Sequence, residues 1–418
     1  MVNGFVPHAI AQTMSKINSN YLSKTIGSLQ SLKNRFEISQ YRLWSGKELG
    51  VGYTPLREIP KDMNPYAKNN IHIFYKPEYL NRGGSGKGRS ASFMLSHYKK
   101  LGLLEKVNKI TTAGFGNFIR SLAELLQIVN PNIVSEAYMG NILVDENRDL
   151  VNHLKNQGVI INGCEDNRCP TGDMDRGKAI AYAYLREVMD PSHTIFLDQH
   201  GVFKPYDGLL NAAGYYHSLA QEILYQIPET SNLFYVNGEG TRGSLVGVAT
   251  RIKEERPKAD IVGLRQEEDG HLFGLRSKSQ LGKSETLGNV EELCNNIYEI
   301  PDETAYSTMN KLWELNIPAT PSGGSYVAGA LRKAEELKKK DMEGTIVTLI
   351  FDSIEYYKNI LDIWMPKILG KKFDYDTFET LRSYAFKDRS EHIKELRLGQ
   401  NRLLRRMVES EAHARFSA

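Results

Sequence analysis

The sequence predicts an α/β fold, a largely parallel sheet covered by helices on both faces, and three observations predict it. Short apolar runs alternate with helical patterns from residue 71 to residue 265, the arrangement of parallel strands joined by crossover helices. Polar or glycine-rich turns follow several of these runs, at the carboxyl ends where open parallel sheets bind ligands. Composition is that of a globular chain: 418 residues, 41% hydrophobic, 25% charged, with 35 glycines. It excludes collagen-like and wholly disordered chains, and the length suits roughly two to three domains.

Residues 1–45 read as a polar helical arm. Ile17, Tyr21, Leu22, Ile26 and Leu29 recur at helical spacing and form one apolar face. That face must pack on the body or on a second subunit. Val51-Gly-Tyr-Thr-Pro-Leu56 opens the globular part. Strands are expected at 71–76, 108–112, 133–138, 158–161, 194–199, 233–237 and 261–265, with helices such as 118–128 and 177–188 between them.

The first turn is Asn81-Arg-Gly-Gly-Ser-Gly-Lys-Gly-Arg89, placed between a strand and the helix beginning near Ser90. A cation at a helix N-terminus opposes the helix dipole, so Lys87 is easier to deprotonate there. A neutral amine is what a Schiff base requires. The alternative is a solvated lysine on a flexible turn. The second turn, Thr111-Thr-Ala-Gly-Phe-Gly-Asn117, offers backbone N–H groups to a carboxylate or phosphate. The third is Asp198-Gln-His200. The fourth is Asn237-Gly-Glu-Gly-Thr-Arg-Gly-Ser244, and the fifth is Thr320-Pro-Ser-Gly-Gly-Ser325. Within the fourth, Gly238 to Gly243 spell G-x-G-x-x-G, with Asp260 about 20 residues on, as in dinucleotide-binding proteins. A nicotinamide oxidoreductase therefore stays open as an alternative. A mononucleotide P-loop is excluded at Lys87, because Gly88 stands at the Ser/Thr position and Asn81 where the first glycine belongs.

Taken together, the ordered turns resemble the fold-type II pyridoxal-phosphate enzymes, in the cysteine synthase and cystathionine β-synthase branch. Lys76-Pro-Glu-Tyr-Leu-Asn-Arg-Gly-Gly-Ser-Gly-Lys-Gly-Arg89 is similar to that family's Schiff-base segment, K-x-E-x-x-N-P-x-x-S-x-K-x-R, with Arg82 in place of the proline. Gly240-Thr-Arg-Gly-Ser244 resembles its G-T-G-G-T phosphate cradle, and Thr320-Pro-Ser-Gly-Gly324 its I-S-S-G segment. Val51-Gly-Tyr-Thr-Pro-Leu56 resembles its G-N-T-P-L entry, and Ile346-Val-Thr-Leu-Ile-Phe-Asp-Ser353 its closing strand.

The resemblance spans roughly residues 50–357. It implies two open, twisted, mostly parallel sheets like those of the tryptophan synthase β-subunit, with helical N- and C-terminal extensions. Pyridoxal 5'-phosphate is the implied cofactor and Lys87 the Schiff-base lysine and α-proton base. Gly238, Gly240, Thr241, Arg242, Gly243 and Ser244 would hold the phosphate. Ser322 would meet the pyridine nitrogen as a neutral partner, leaving it unprotonated.

The substrate loop departs from the family's T-S-G-N-T-G. Ala113, Phe115 and Gly116 replace its serine, asparagine and second threonine. Asn117 is then expected to take the asparagine's place on the cofactor, and Asn117-Phe-Ile-Arg120 resembles the N-H-T-R of aminocyclopropane-carboxylate deaminases. Thr112, Ala113, Gly114 and Gln199 are the expected substrate contacts. The expected reaction is β-replacement or β-elimination on a small amino acid. Alternatives are a deaminase or desulfhydrase of the same fold, and a non-catalytic binding protein.

The expected division is 1–45 arm, 46–205 domain with the lysine and substrate loop, 206–365 domain with the phosphate loop, and 366–418 helical extension. Net charge is only +3, which gives no argument for nucleic acid. Three cysteines, Cys164, Cys169 and Cys294, cannot all pair with one another and suit a reducing cytoplasm. No second pair follows Cys164 and Cys169 at zinc spacing, so no metal is expected. No apolar run follows a basic start and none reaches membrane length, so neither a secretion signal nor a membrane span is expected. Near the end, Ile393, Leu396, Leu403 and Met407 recur at helical spacing with Gln400 in the gap, among charges of mixed sign. A helix packing on the body or on a second subunit is expected, and a homodimer is the expected assembly.

Overall fold

The structure, a computed structural model, describes residues 46–164, 173–228, 232–280, 287 and 290–416. The expected 1–45 arm and Cys169 lie outside the described residues. The chain enters through β1 (Arg57–Glu58) and β2 (Ile71–Pro77), followed by α1 (Lys87–Lys100). Next come β3 (Lys109–Ala113), α2 (Asn117–Val129), β4 (Val134–Gly140), α3 (Asn141–Glu146) and α4 (Arg148–Asn156). Then follow β5 (Ile160–Cys164), α5 (Asp173–Met189) and β6 (Thr194–Leu197). Helices α6 (Pro205–Tyr216) and α7 (Leu219–Gln226) lead to β7 (Leu233–Gly238), α8 (Gly243–Glu255) and β8 (Asp260–Gln266). The chain continues with β9 (Asn296–Ile300), α9 (Asp302–Glu314), α10 (Pro321–Lys339) and β10 (Gly344–Ile350). It closes with α11 (Lys358–Leu369), α12 (Tyr375–Arg397) and α13 (Arg402–Phe416).

Two sheets result. A six-stranded sheet runs β1-β2-β10-β7-β8-β9, and a four-stranded sheet runs β5-β4-β3-β6. Among the described residues, every pairing within these sheets is parallel except β1 with β2. β7 is buried along its whole length, as a central parallel strand covered on both faces must be. β5, at an edge, buries only Cys164. Two mostly parallel sheets flanked by helices are the architecture implied by the sequence.

Three expectations change. The boundary at 205 does not separate the sheets. β2 pairs with β10 (Ile73 opposite Ile346) in the large sheet, so Lys87 follows a strand of the same sheet as the phosphate loop. The small sheet is inserted between β2 and β7, because parallel partners are free to lie far apart in sequence. β9 and the two-residue β1 were not expected; β9 is a half-covered edge strand whose apolar pattern is only Ile297, Tyr298 and Ile300. The C-terminal segment is two helices, broken at 398–401, where Gly399 turns with φ +64.

Those two helices cover the body. Phe378, Leu381, Ala385 and Leu396 of α12 are buried. Asp388 pairs with Arg57 at 3.0 Å, and Arg389 donates to Glu355 at 2.8 Å. Two of its charges are therefore spent on the body. No helix among the described residues is long and apolar enough to cross a membrane.

Candidate active site

The carboxyl ends of β2, β3, β6, β7, β8 and β10 all lead into one cavity, as expected for open parallel sheets. Its walls include Lys87, Asn117, Gln199, Gly240, Thr241 and Ser322. Lys87 is the first residue of α1, so the helix begins earlier than the start expected near Ser90, and the lysine stands at its N-terminus rather than in the turn before it. Its amine donates to Thr241 Oγ1 at 2.8 Å. Burial pushes its pKa down to about 7, and the Arg276 guanidinium adds to the effect. The depression expected from the sequence is present, and desolvation leads it.

The rest of the lysine segment is structural. Arg89 Nε donates to Glu78 at 2.6 Å, and its Nη1 to Glu222 at 2.7 Å. Lys76 Nζ donates to the other Glu222 oxygen at 2.9 Å. Asn81 donates to Glu78 Oε2 at 2.9 Å and accepts from Gly52 N. These buried ions hold the entry segment, β2, α1 and α7 together, so the lysine turn has a rigid base.

The phosphate-loop candidates divide. Gly238, Gly240, Thr241 and Ser244 line the cavity at the N-terminus of α8. Gly240 is required there, since a Cβ would stand 2.3 Å from the Gly274 carbonyl oxygen. Arg242 and Gly243 are not among the lining residues. Arg242 adopts φ +65, and its Nε donates to the buried Glu239 at 2.8 Å. Glu239 also receives Arg265 at 2.6 Å. Arg242 thus turns to a carboxylate instead of the cavity. Gly243 faces Asn211, with room for no Cβ. Asp260 stands at the amino end of β8, opposite to the turn, and pairs with Lys333 at 2.7 Å. The dinucleotide fingerprint needs that acid near the ligand, so the nicotinamide alternative loses its support.

The substrate-loop candidates divide as well. Thr112 donates its hydroxyl to Leu197 O at 3.0 Å within the sheet. Thr112, Ala113 and Gly114 are not among the lining residues, whereas Phe115 and Asn117 are. Gly116, at φ +117, directs the chain into α2 and brings Asn117 to its first turn. Gln199 donates from Nε2 to Ala113 O at 3.0 Å, and its buried Oε1 has no hydrogen-bond partner among the described residues. As placed, its Oε1 offers a ligand an acceptor, while one of the two Nε2 hydrogens is spent on Ala113 O.

Three of the polar lining residues were not singled out from the sequence. Arg276 ends a loop after β8, where its N–H donates to Glu239 O at 3.0 Å. Tyr326 lies one helical turn beyond Ser322. Asp352 follows β10 and accepts from Asn117 Nδ2 at 2.7 Å. The strand-end rule that picked out the other turns applies equally to β10 and would have found Asp352, whereas Arg276 lies well past the end of β8 and carries no such mark.

A family model for pyridoxal-phosphate dependent enzymes matches residues 47–352. The chain belongs to that family. The enzyme is 26% identical over 312 residues to the cysteine synthase of Aquifex aeolicus (strain VF5), covering 73% of this chain and 88% of that protein. Among solved structures, it superposes with TM-score 0.63 on a mutant O-ureido-L-serine synthase bound to O-ureido-L-serine, at 20% identity over 79% of this chain and 96% of that one. For the O-acetylserine-dependent cystathionine β-synthase of Helicobacter pylori the TM-score is 0.62, at 22% identity over 74% and 96%. A hydrogen sulfide-producing enzyme of Fusobacterium nucleatum gives 0.61, at 23% over 74% and 96%.

The cofactor is pyridoxal phosphate, and the cavity fits it. A lysine poised to be neutral faces it, a glycine cradle at a helix N-terminus offers an anion site, and a buried orphan acceptor on Gln199 awaits a donor.

Proposed function

We propose that the enzyme carries out β-replacement or β-elimination on a small amino acid bearing a leaving group on its β-carbon. The observation that carries the reading is Lys87, whose amine, with a pKa of about 7, touches the Thr241 hydroxyl in the cavity lined by the phosphate loop and Ser322. Structural neighbours named for O-ureido-L-serine and for O-acetylserine support the substrate class.

When bound, pyridoxal phosphate withdraws electrons from the substrate α-carbon. The chain supplies the rest. Gly240 and Gly238 open the cradle, and the hydroxyls of Thr241 and Ser244 serve the phosphate at the positive end of α8. Lys87 would anchor the cofactor and, as a neutral amine, would take the proton from the substrate Cα. Gln199 Oε1 receives an N–H or O–H of the ligand. Phe115, Phe118, Phe273 and Phe351 line the cavity and exclude water. Asn117 and Ser322 would complete the cofactor contacts. A homodimer working in a reducing, cytoplasmic setting completes the proposal, supported by the three cysteines and by apolar Leu101, Phe386 and Leu398 on the surface.

Protein supplied with pyridoxal phosphate should be yellow, lose its colour on borohydride reduction and carry the modification at Lys87. A panel of O-acetyl-, O-phospho- and O-ureido-serine with sulfide or amine nucleophiles should then reveal turnover, and sedimentation of the same sample reads the oligomer. A colourless protein indistinguishable from its Lys87→Ala variant would sink the reading.

A further inference from the structure

Asp352 is the one carboxylate among the described residues that line the cavity. It is 2% exposed and accepts four hydrogen bonds. Asn117 Nδ2 at 2.7 Å and the Tyr357 hydroxyl at 2.5 Å bond Oδ2. Thr320 Oγ1 at 2.6 Å and Ser322 Oγ at 3.2 Å bond Oδ1. The Thr320 and Ser322 hydroxyls also lie 3.0 Å apart.

A hydroxyl has one hydrogen to give. The short Thr320 contact commits that residue's hydrogen to Asp352. Ser322 then gives its own either to Asp352 directly or to Thr320 Oγ1. In both arrangements its hydrogen is spent inside the cluster, because a charge-assisted bond to a carboxylate outcompetes one to a neutral acceptor. Only lone pairs of Ser322 Oγ remain for the cavity. The two cofactor-facing candidates on this wall, Asn117 and Ser322, are both held by the same carboxylate.

We propose that Asp352 is a positioning residue that turns Ser322 into an acceptor and thereby holds the ring nitrogen of bound pyridoxal phosphate in its protonated form. This rests on the proposed cofactor site and on Ser322 as its ring-nitrogen partner. A lone pair facing an unprotonated ring nitrogen is repulsive, whereas one facing a ring N–H makes a hydrogen bond. The Asp352 charge, one hydroxyl away, favours the cation further. The proton comes from solvent as the cofactor binds, and no other bond changes. A protonated ring is the stronger electron sink, the reverse of what a neutral serine partner alone implies.

The test is the 15N chemical shift of ring-labelled pyridoxal phosphate bound to the full chain. The wild type should give a pyridinium shift, and Asp352→Asn, which keeps the volume, should move it to the neutral pyridine range. A neutral shift in the wild type, or an unchanged pyridinium shift in Asp352→Asn, overturns the proposal. If that variant does not fold, the wild type decides alone. An analogue with C–H in place of the ring nitrogen should bind about tenfold more weakly, the worth of one hydrogen bond; equal affinity overturns the proposal. Failure of Lys87 to capture any cofactor would take down the parent reading and this one together, whereas capture with a neutral ring removes only this one.

Discussion

Lys87 has a pKa of about 7 chiefly because its amine is buried, with Arg276 as a second cause. Capture of pyridoxal phosphate needs the neutral amine, so its rate should rise as pH climbs through about 7 and level off above. Arg276→Gln removes a cation and should move that midpoint upward, because the charged lysine is then penalised less. Stopped-flow absorbance across pH reads both, and a midpoint left near the ordinary lysine range of about 10.4 would contradict the burial argument. Arg242 teaches the complementary lesson. It stands where the family has glycine, yet its guanidinium is tied to Glu239 and it is not among the lining residues.

At the scale of elements, the ions behind the lysine turn matter more than the turn itself. Glu222, on α7, bonds Lys76 of β2 and Arg89 of α1. Burial would raise its pKa, but those two cations hold it down to about 2. Removing one partner strands the others in a dry interior, which costs about 3–5 kcal/mol. Glu222→Ala should therefore lower the urea midpoint by that equivalent without change in the cavity lining. A loss below about 1 kcal/mol, the range of exposed pairs, would show that water reaches the network. Helix α10 shows the same dependence on its end. Pro321 at its first turn and the Thr320 cap, which accepts from Gly323 N, place Ser322 against Asp352.

For the whole molecule, the cavity draws on strand ends of both sheets, so a ligand that fills it links them. Binding to the folded state alone should stabilise it by about 2.7 kcal/mol at a free concentration of a hundred times Kd. Chemical denaturation with and without pyridoxal phosphate measures this. Lys87→Ala should lose most of the gain, and an equal gain in that variant would place the cofactor elsewhere. The alternating pattern by itself determined the α/β class, because strands buried on both faces must be apolar runs and crossovers must be helices. The glycine turns at strand ends determined where ligands go, because backbone approach there tolerates no side chain. Only the tertiary structure decided that β2 joins the phosphate-loop sheet, since parallel pairing leaves no local trace in sequence. Only it decided that Thr112 serves the sheet, that Arg242 serves Glu239 and that Asp352 faces the cavity. The direction a polar side chain takes depends on which partner the fold brings within hydrogen-bond reach, and those partners lie up to hundreds of residues away: Asn117 meets Asp352 across a separation of 235.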